Sequence, residues 1–185
     1  TLPVFLPALL LLGAGLVVYA NSFSIPFLFD DHFEILRNPD VKKVEPFFSY
    51  LTRARGIPTW SFALNYQWGG QEVWGYHLLN LTVHLASALV VYALTFTTLR
   101  LPSLGGRYRG REHVLAGLTA LIFTVHPLQT MAVSYIVQRT ESIAAFFYFL
   151  SLLFFARAET AQGGVVGEQQ HAESHDLRHG GHGHR

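Results

Sequence analysis

Asp30, Asp31 and Glu34 fall within five positions of one another in FLFDDHFEILRNP, residues 27–39, ten residues after an uncharged apolar run. Carboxylates this close serve either a hydrated turn with its helix caps or a site that moves protons or holds a cation. In a helical turn, neighbouring side chains diverge by about 100°, so Asp30 and Asp31 would face different groups while Glu34 shares a face with one of them. A second set of candidates is His77, Asn80, His84 and Ser87, which step by three, four and three along an otherwise apolar run and so line one helix stripe. That stripe faces either a neighbouring helix or a water-filled cleft. A third set is the His-rich end of the chain, His171, His175, His179, His182 and His184, which offers imidazoles for Zn, Ni or Cu but no fixed partners to orient them.

Composition narrows the setting for these groups. Half of the 185 residues are apolar and 14% are charged, against about a quarter in soluble domains. Lipid is therefore the expected solvent for most of the chain. A net charge of +1 provides no basic field, which excludes nucleic acid as a partner. The absence of Cys removes disulfides, thiolate metal sites and cysteine nucleophiles.

The expected architecture is an all-α integral membrane protein with about four crossings. Residues 2–20 carry no charge and are long for a signal-peptide core, so they read as the first membrane helix. Residues 75–99 form the second. Residues 113–127 and 141–157 form shorter third and fourth crossings, with a kink or turn at Pro127 and a connecting loop at 128–140. The loop at 100–112 is Arg-dense, with Arg107, Arg109 and Arg111 following Arg100, and belongs on the cytoplasmic side. Both termini are then cytoplasmic, and the long loop at 21–74, with all three Trp residues and aromatic stretches at helical spacing, is exported and lies along the membrane surface. The Gly-rich, polar segment 158–185 is expected to be disordered.

The motifs, taken in order, resemble the N-terminal membrane module of the GT-C class of polyprenyl-phosphate-sugar glycosyltransferases. The nearest likeness is to protein O-mannosyltransferase relatives and to bacterial membrane proteins that join such a module to tetratricopeptide repeats. The resemblance rests on NSFSIPFLFDD at 21–31, on Arg55, Pro58 and the Asn65–Tyr66 pair, on GYHLLNLTVH at 75–84, and on HPLQTMAVSYIVQR at 126–139. It covers nearly all of residues 20–156. It places the protein in a bacterial inner membrane.

The resemblance implies a function and assigns roles. Such enzymes transfer a sugar from a polyprenyl-phosphate donor to a hydroxyl on the exported side, and their first exported loop carries an acidic pair thought to supply the base and, in some members, a divalent-cation contact. Carried over, the pair is Asp30 and Asp31. Arg55 and Arg139 are then candidates for the donor phosphate, because a guanidinium gives two parallel hydrogen bonds to phosphate. Glu34, His77 and His84 are further substrate-binding candidates, and a divalent cation is the only cofactor implied. Gln129 and Met131 stand where relatives often have charged residues after His-Pro, which argues against an acid from the second exported loop. Family enzymes cross the membrane roughly nine to thirteen times, so about four crossings mark either a fragment or a shortened relative. A shortened relative points to a second function, a non-catalytic accessory or scaffold subunit of a larger membrane complex.

Overall fold

The computed structural model describes the backbone of residues 5–104 and 106–180 and the side chains of residues 6–104 and 106–161. Among the described residues the chain is helical throughout, with no strand. Helix α1 (Phe5–Tyr19) is followed by a 3-10 turn (Ala20–Ser24), and together they give an apolar rod from Leu6 to Ser24 long enough to cross a membrane. A second such rod is α5 (Val73–Leu99), and a third begins at Ile136 and runs to Ala161 within α8 (Arg139–Gly180). The fourth candidate is a bent pair, with the geometry of a broken span or a re-entrant loop. Helix α6 (Glu112–Val125) ends before Pro127, and Pro127–Ser134 leaves it at 54°, through a 3-10 turn (Pro127–Gln129) and α7 (Thr130–Ser134). The break has a local cause: Pro127 offers no N–H to the helix, and it pushes the preceding His126 into an extended conformation at φ −65° and ψ 133°. The kink expected at Pro127 is therefore a full break, and the 128–140 loop contains α7 and a second 3-10 turn (Ile136–Gln138).

Helix α5 is the central post, packing against α8, α6, α1 and α7. Its lower half meets α1 and α6 through Leu11, Ala88 and Ala120, where small residues bring backbones close. Its upper half holds Tyr19, Leu81, Leu85 and Val133 together. Above these sits a third cluster of Ile35, Val41, Phe62, Tyr76 and Ile136, which roots the long first loop in the bundle.

That loop is built from short helices: a π-type turn (His32–Leu36), α2 (Pro39–Lys42), α3 (Phe47–Tyr50) and α4 (Gly56–Gly69). Asn38 caps α2, its Oδ1 accepting the Asp40 N–H at 2.9 Å with Pro39 at the first helical position. Tyr50 is fully buried and donates to the Asp40 and Lys43 carbonyls, tying α3 to α2. Helix α4 starts immediately after a left-handed residue, Arg55 at φ 58°, because Gly56 must pass against the Tyr50 carbonyl. A Cβ at Gly56 would sit 1.7 Å from that oxygen.

Helix α8 runs on to Gly180, within the segment 158–185. The segment after Arg157 carries Ala158, Glu159, Ala161, Gln162, Glu168, Gln169 and Gln170 with no Pro, and these strong helix formers continue a helix already nucleated at Arg139 despite its four glycines.

The contact at Gly56 yields a first prediction. Gly56→Ala forces the α3–α4 turn open and is expected to lower stability by about 3 kcal/mol. Thermal unfolding in detergent micelles reads this as a clear drop in Tm, and an unchanged Tm would mean that the turn yields without cost.

Candidate functional site

The break at Pro127 determines what the polar stripe on α5 is for. Backbone carbonyls between Thr124 and Val137 have left the regular helix ladder inside a bundle, where unpaired polar groups cost several kcal/mol each by transfer to an apolar medium. Side chains of α1 and α5 supply the missing donors. The Tyr19 hydroxyl donates to the Thr124 carbonyl at 3.1 Å, and His84 Nε2 lies 3.1 Å from the same oxygen. His77 Nδ1 lies 2.9 Å from the Val133 carbonyl, while its Nε2 lies 2.8 Å from the Ile25 carbonyl. Asn80 Nδ2 donates to the carbonyls of both Tyr135 and Ile136, at 3.3 and 3.2 Å. His77, Asn80, His84 and Ser87 are all buried. The structure thus turns the stripe toward protein. His77, expected as a substrate contact, has both ring nitrogens on backbone carbonyls, whereas His84, expected likewise, has its Nε2 on one.

Arg139 sits at the top of the same network. It is the first residue of α8 and is fully buried. Its Nε donates to Asn80 Oδ1 at 2.6 Å, Nη1 to Asn65 Oδ1 at 2.8 Å and Ser61 Oγ at 3.1 Å, and Nη2 to the Tyr76 carbonyl at 2.9 Å. Its guanidinium carbon lies 4.5 Å from the centre of the Phe62 ring. Four hydrogen bonds from α4 and α5, with an aromatic face below, replace the hydration shell of the cation. In this arrangement the donors of Arg139 are engaged by protein oxygens. Asn80 lies on the stripe visible in the sequence, whereas Ser61 and Asn65 are partners that sequence reasoning missed. The available signal was Arg139 itself, since a cation at that depth has to be met by protein oxygens.

The acidic pair divides by burial. Phe29 takes a left-handed conformation, φ 41°, unusual for a residue with a bulky side chain. The next two side chains then go opposite ways. Asp31 is fully buried, its Oδ2 accepting the Leu28 N–H at 2.9 Å and its Oδ1 the Val137 N–H at 2.7 Å. It therefore staples the first loop to the 3-10 turn that precedes α8. Burial pushes the Asp31 carboxyl above its ordinary range, against the pull of the Leu28, Val137 and Ile136 amides and of the nearby His77 ring. Asp30 is exposed, and its backbone N–H donates to the Tyr135 hydroxyl at 3.2 Å. Glu34 is exposed on the following turn, with its Oε1 3.8 Å from Arg55 Nη1. Arg55 is itself exposed, held by its left-handed backbone at the head of α4. Asp30 and the Glu34–Arg55 contact thus face outward, while Asp31, His77, Asn80 and Arg139 face inward.

Beside Arg55 a groove of about 370 Å³ opens between the α3–α4 turn and α8, with Arg53 and Arg55 at one end and Ile143, Ala144 and Phe147 along its wall. Arg53 is engaged with Glu45 and Asp40. Among the described residues no cluster of three or more His, Asp or Glu is arranged to hold a metal ion. The five histidines of the metal expectation lie outside the described side chains.

Comparison with known proteins gives this arrangement a context. The chain is 35% identical over 164 residues to protein O-mannosyl-transferase tmtc2 of Xenopus laevis, 32% over 164 residues to the human protein O-mannosyl-transferase TMTC2, and 31% over 156 residues to Tmtc1 of Drosophila melanogaster. The chain is homologous to the protein O-mannosyl-transferases. These matches cover 76–80% of this chain but only 17–18% of the relatives, so the chain spans less than a fifth of their length. No family model and no solved structure matches it. All three relatives are animal proteins.

Two predictions follow from the buried groups. Arg139→Lys keeps the charge but loses the planar fork, leaving oxygens of Asn65, Asn80 or Ser61 without donors; a loss of about 3 kcal/mol is expected in thermal or denaturant unfolding in micelles. For Asp31, the folded state holds the carboxyl proton more tightly than the unfolded chain, whose value is near 3.8. Ionisation of this group therefore costs stability as pH rises from about 4 through the raised value, and the stabilising effect of its proton is complete only at lower pH. Measured against Asp31→Asn, the wild-type Tm should fall over that window, and parallel pH curves would contradict the assignment.

Proposed function

We propose that the chain is a membrane glycosyltransferase-like module that transfers a sugar from a polyprenyl-phosphate donor to an acceptor hydroxyl on the exported side, with Asp30 as the base. The observation that carries the choice of Asp30 is the division of the pair: Asp31 is consumed by two backbone amides in the interior, while Asp30 is exposed on the same turn. The homologous proteins are named O-mannosyl-transferases, which favours sugar transfer over other chemistries.

In this reading the Asp30 carboxylate takes the proton of the acceptor hydroxyl as its oxygen bonds to the anomeric carbon of the sugar. The bond from that carbon to the phosphate oxygen breaks, and its electron pair leaves with the lipid phosphate. Arg55 is a guanidinium available to meet the phosphate charge, because its contact with Glu34 is long and solvent-exposed and is readily exchanged. Glu34 then orients Arg55. The Arg-dense loop after α5 lies in the cytoplasm, with both termini on that side, and the first loop faces the opposite compartment.

A non-catalytic scaffold is the second reading, and one observation favours it. Most polar residues of the matched motifs, Asn65, His77, Asn80, His84 and Arg139, hold the bundle together, as they would in a subunit that has lost turnover.

Asp30→Asn separates the two. Transfer of radiolabelled sugar from a polyprenyl-phosphate donor, measured in membranes carrying the protein as it is naturally expressed, should fall by about 100-fold or more while insertion and Tm stay unchanged. Undiminished transfer removes Asp30 as base. A stoichiometric companion that copurifies, with no turnover of lipid-linked sugar by the wild type, selects the scaffold.

A further inference from the structure

We infer that Tyr135 is the positioning residue for Asp30, transmitting the fixed geometry of the buried network to the exposed carboxylate. This inference rests on the reading of Asp30 as base. Tyr135 lies in the short segment between α7 and the turn before α8, at an extended residue with φ −108° and ψ 111°. Its backbone is pinned from below. Asn80 donates to its carbonyl at 3.3 Å, and Asn80 is itself held by Arg139 at 2.6 Å. On the N-terminal side His77 binds the Val133 carbonyl, and on the C-terminal side Asp31 binds the Val137 amide. The position of the Tyr135 Cα is therefore set by three α5 and loop side chains within four residues.

Its side chain reaches outward to the strained turn. The hydroxyl accepts the Asp30 N–H at 3.2 Å, and the ring stands edge-on to Phe29, with centroids 6.3 Å apart and planes at 87°. Burial raises the Tyr135 hydroxyl above its ordinary range, and the Asp30 and Asp31 charges and the Asp30 side-chain hydrogen bond act in the same direction, against the Asp30 amide. A phenol that stays protonated accepts the Asp30 amide with its oxygen and keeps its own proton free to meet the carboxylate of the same residue. The backbone of Asp30 is thereby held in place, and its carboxylate is left for the acceptor hydroxyl. A single hydroxyl at this place does two things that an exposed Asp on a loop cannot do alone: it limits rotation of the carboxylate and keeps the left-handed turn at Phe29 closed.

Tyr135→Phe deletes the hydroxyl and retains the ring against Phe29. In membranes carrying the full protein, kcat for sugar transfer should fall about tenfold with KM for the donor unchanged, the acid limb of the pH–rate profile should move, and Tm should stay within about 2 °C. Addition of Tyr135→Phe to Asp30→Asn should cause no further loss, because the hydroxyl acts through Asp30. Wild-type kcat and pH profile in Tyr135→Phe, alongside an inactive Asp30→Asn, overturns the positioning role and leaves the base assignment standing. Full activity in Asp30→Asn overturns both. Should Tyr135→Phe fail to fold, the reciprocal measurement uses Asp30→Asn, whose altered side chain is exposed. Its infrared difference spectrum against wild type must contain a shifted tyrosine C–O band, and the absence of any such band overturns the inference.

Discussion

A membrane-spanning segment that breaks at His126–Pro127 leaves its carbonyls without donors in a medium that has none to offer, and the rest of this bundle is arranged around that constraint. The donors come from one face of α5 and from α1, through Tyr19, His77, Asn80 and His84. Each is directional and short, so the broken segment is held in one conformation. Arg139 completes the arrangement from the other side. A buried guanidinium attracts four oxygens from two helices, and removing any one of them leaves a charge or a lone pair unsatisfied. The irregular backbone and the buried cation thus stabilise one another through Asn80, which donates to the first and accepts from the second.

This coupling explains how two adjacent carboxylates come to do different work. Asp31 is the loop's contribution to the interior network, and its two amide partners lie at the strained turn and at the entrance to α8. Once Asp31 is fixed, the left-handed Phe29 leaves Asp30 facing out, next to the rim formed by Glu34 and Arg55. The division depends on backbone conformation, not on residue type. Two aspartates in the opposite register would exchange their roles.

The helical class, the spans at α1, α5 and α8 and the surface helices of the first loop were legible because each follows from local hydrophobic length, the spacing of aromatics and proline placement. The polar stripe on α5 was legible as a stripe. Which way it faces was not, because that depends on a break some 40 residues away whose carbonyls need donors. Arg139 shows the same limit: its place before an apolar run fits both a rim anchor and a phosphate ligand, and only the convergence of Ser61, Asn65, Asn80 and the Tyr76 carbonyl distinguishes a third role.

The exposed rim gains from being poorly packed itself while resting on a packed interior. A base on a free loop samples many directions, and each costs rate, because proton transfer needs the carboxylate within about 3 Å of the hydroxyl. A base buried deeply enough to be rigid would lose access to a hydroxyl acceptor and pay for its own ionisation, as Asp31 does. The turn at 28–31 resolves the conflict by dividing it between neighbours: Asp31 takes the burial and supplies the rigidity, and Asp30 keeps the exposure. The same turn in a scaffold protein would need the first of these residues for nothing, since Asp31 alone closes the staple to α8. An outward-facing acid that serves the fold through its backbone alone is therefore the feature that favours chemistry over mere support.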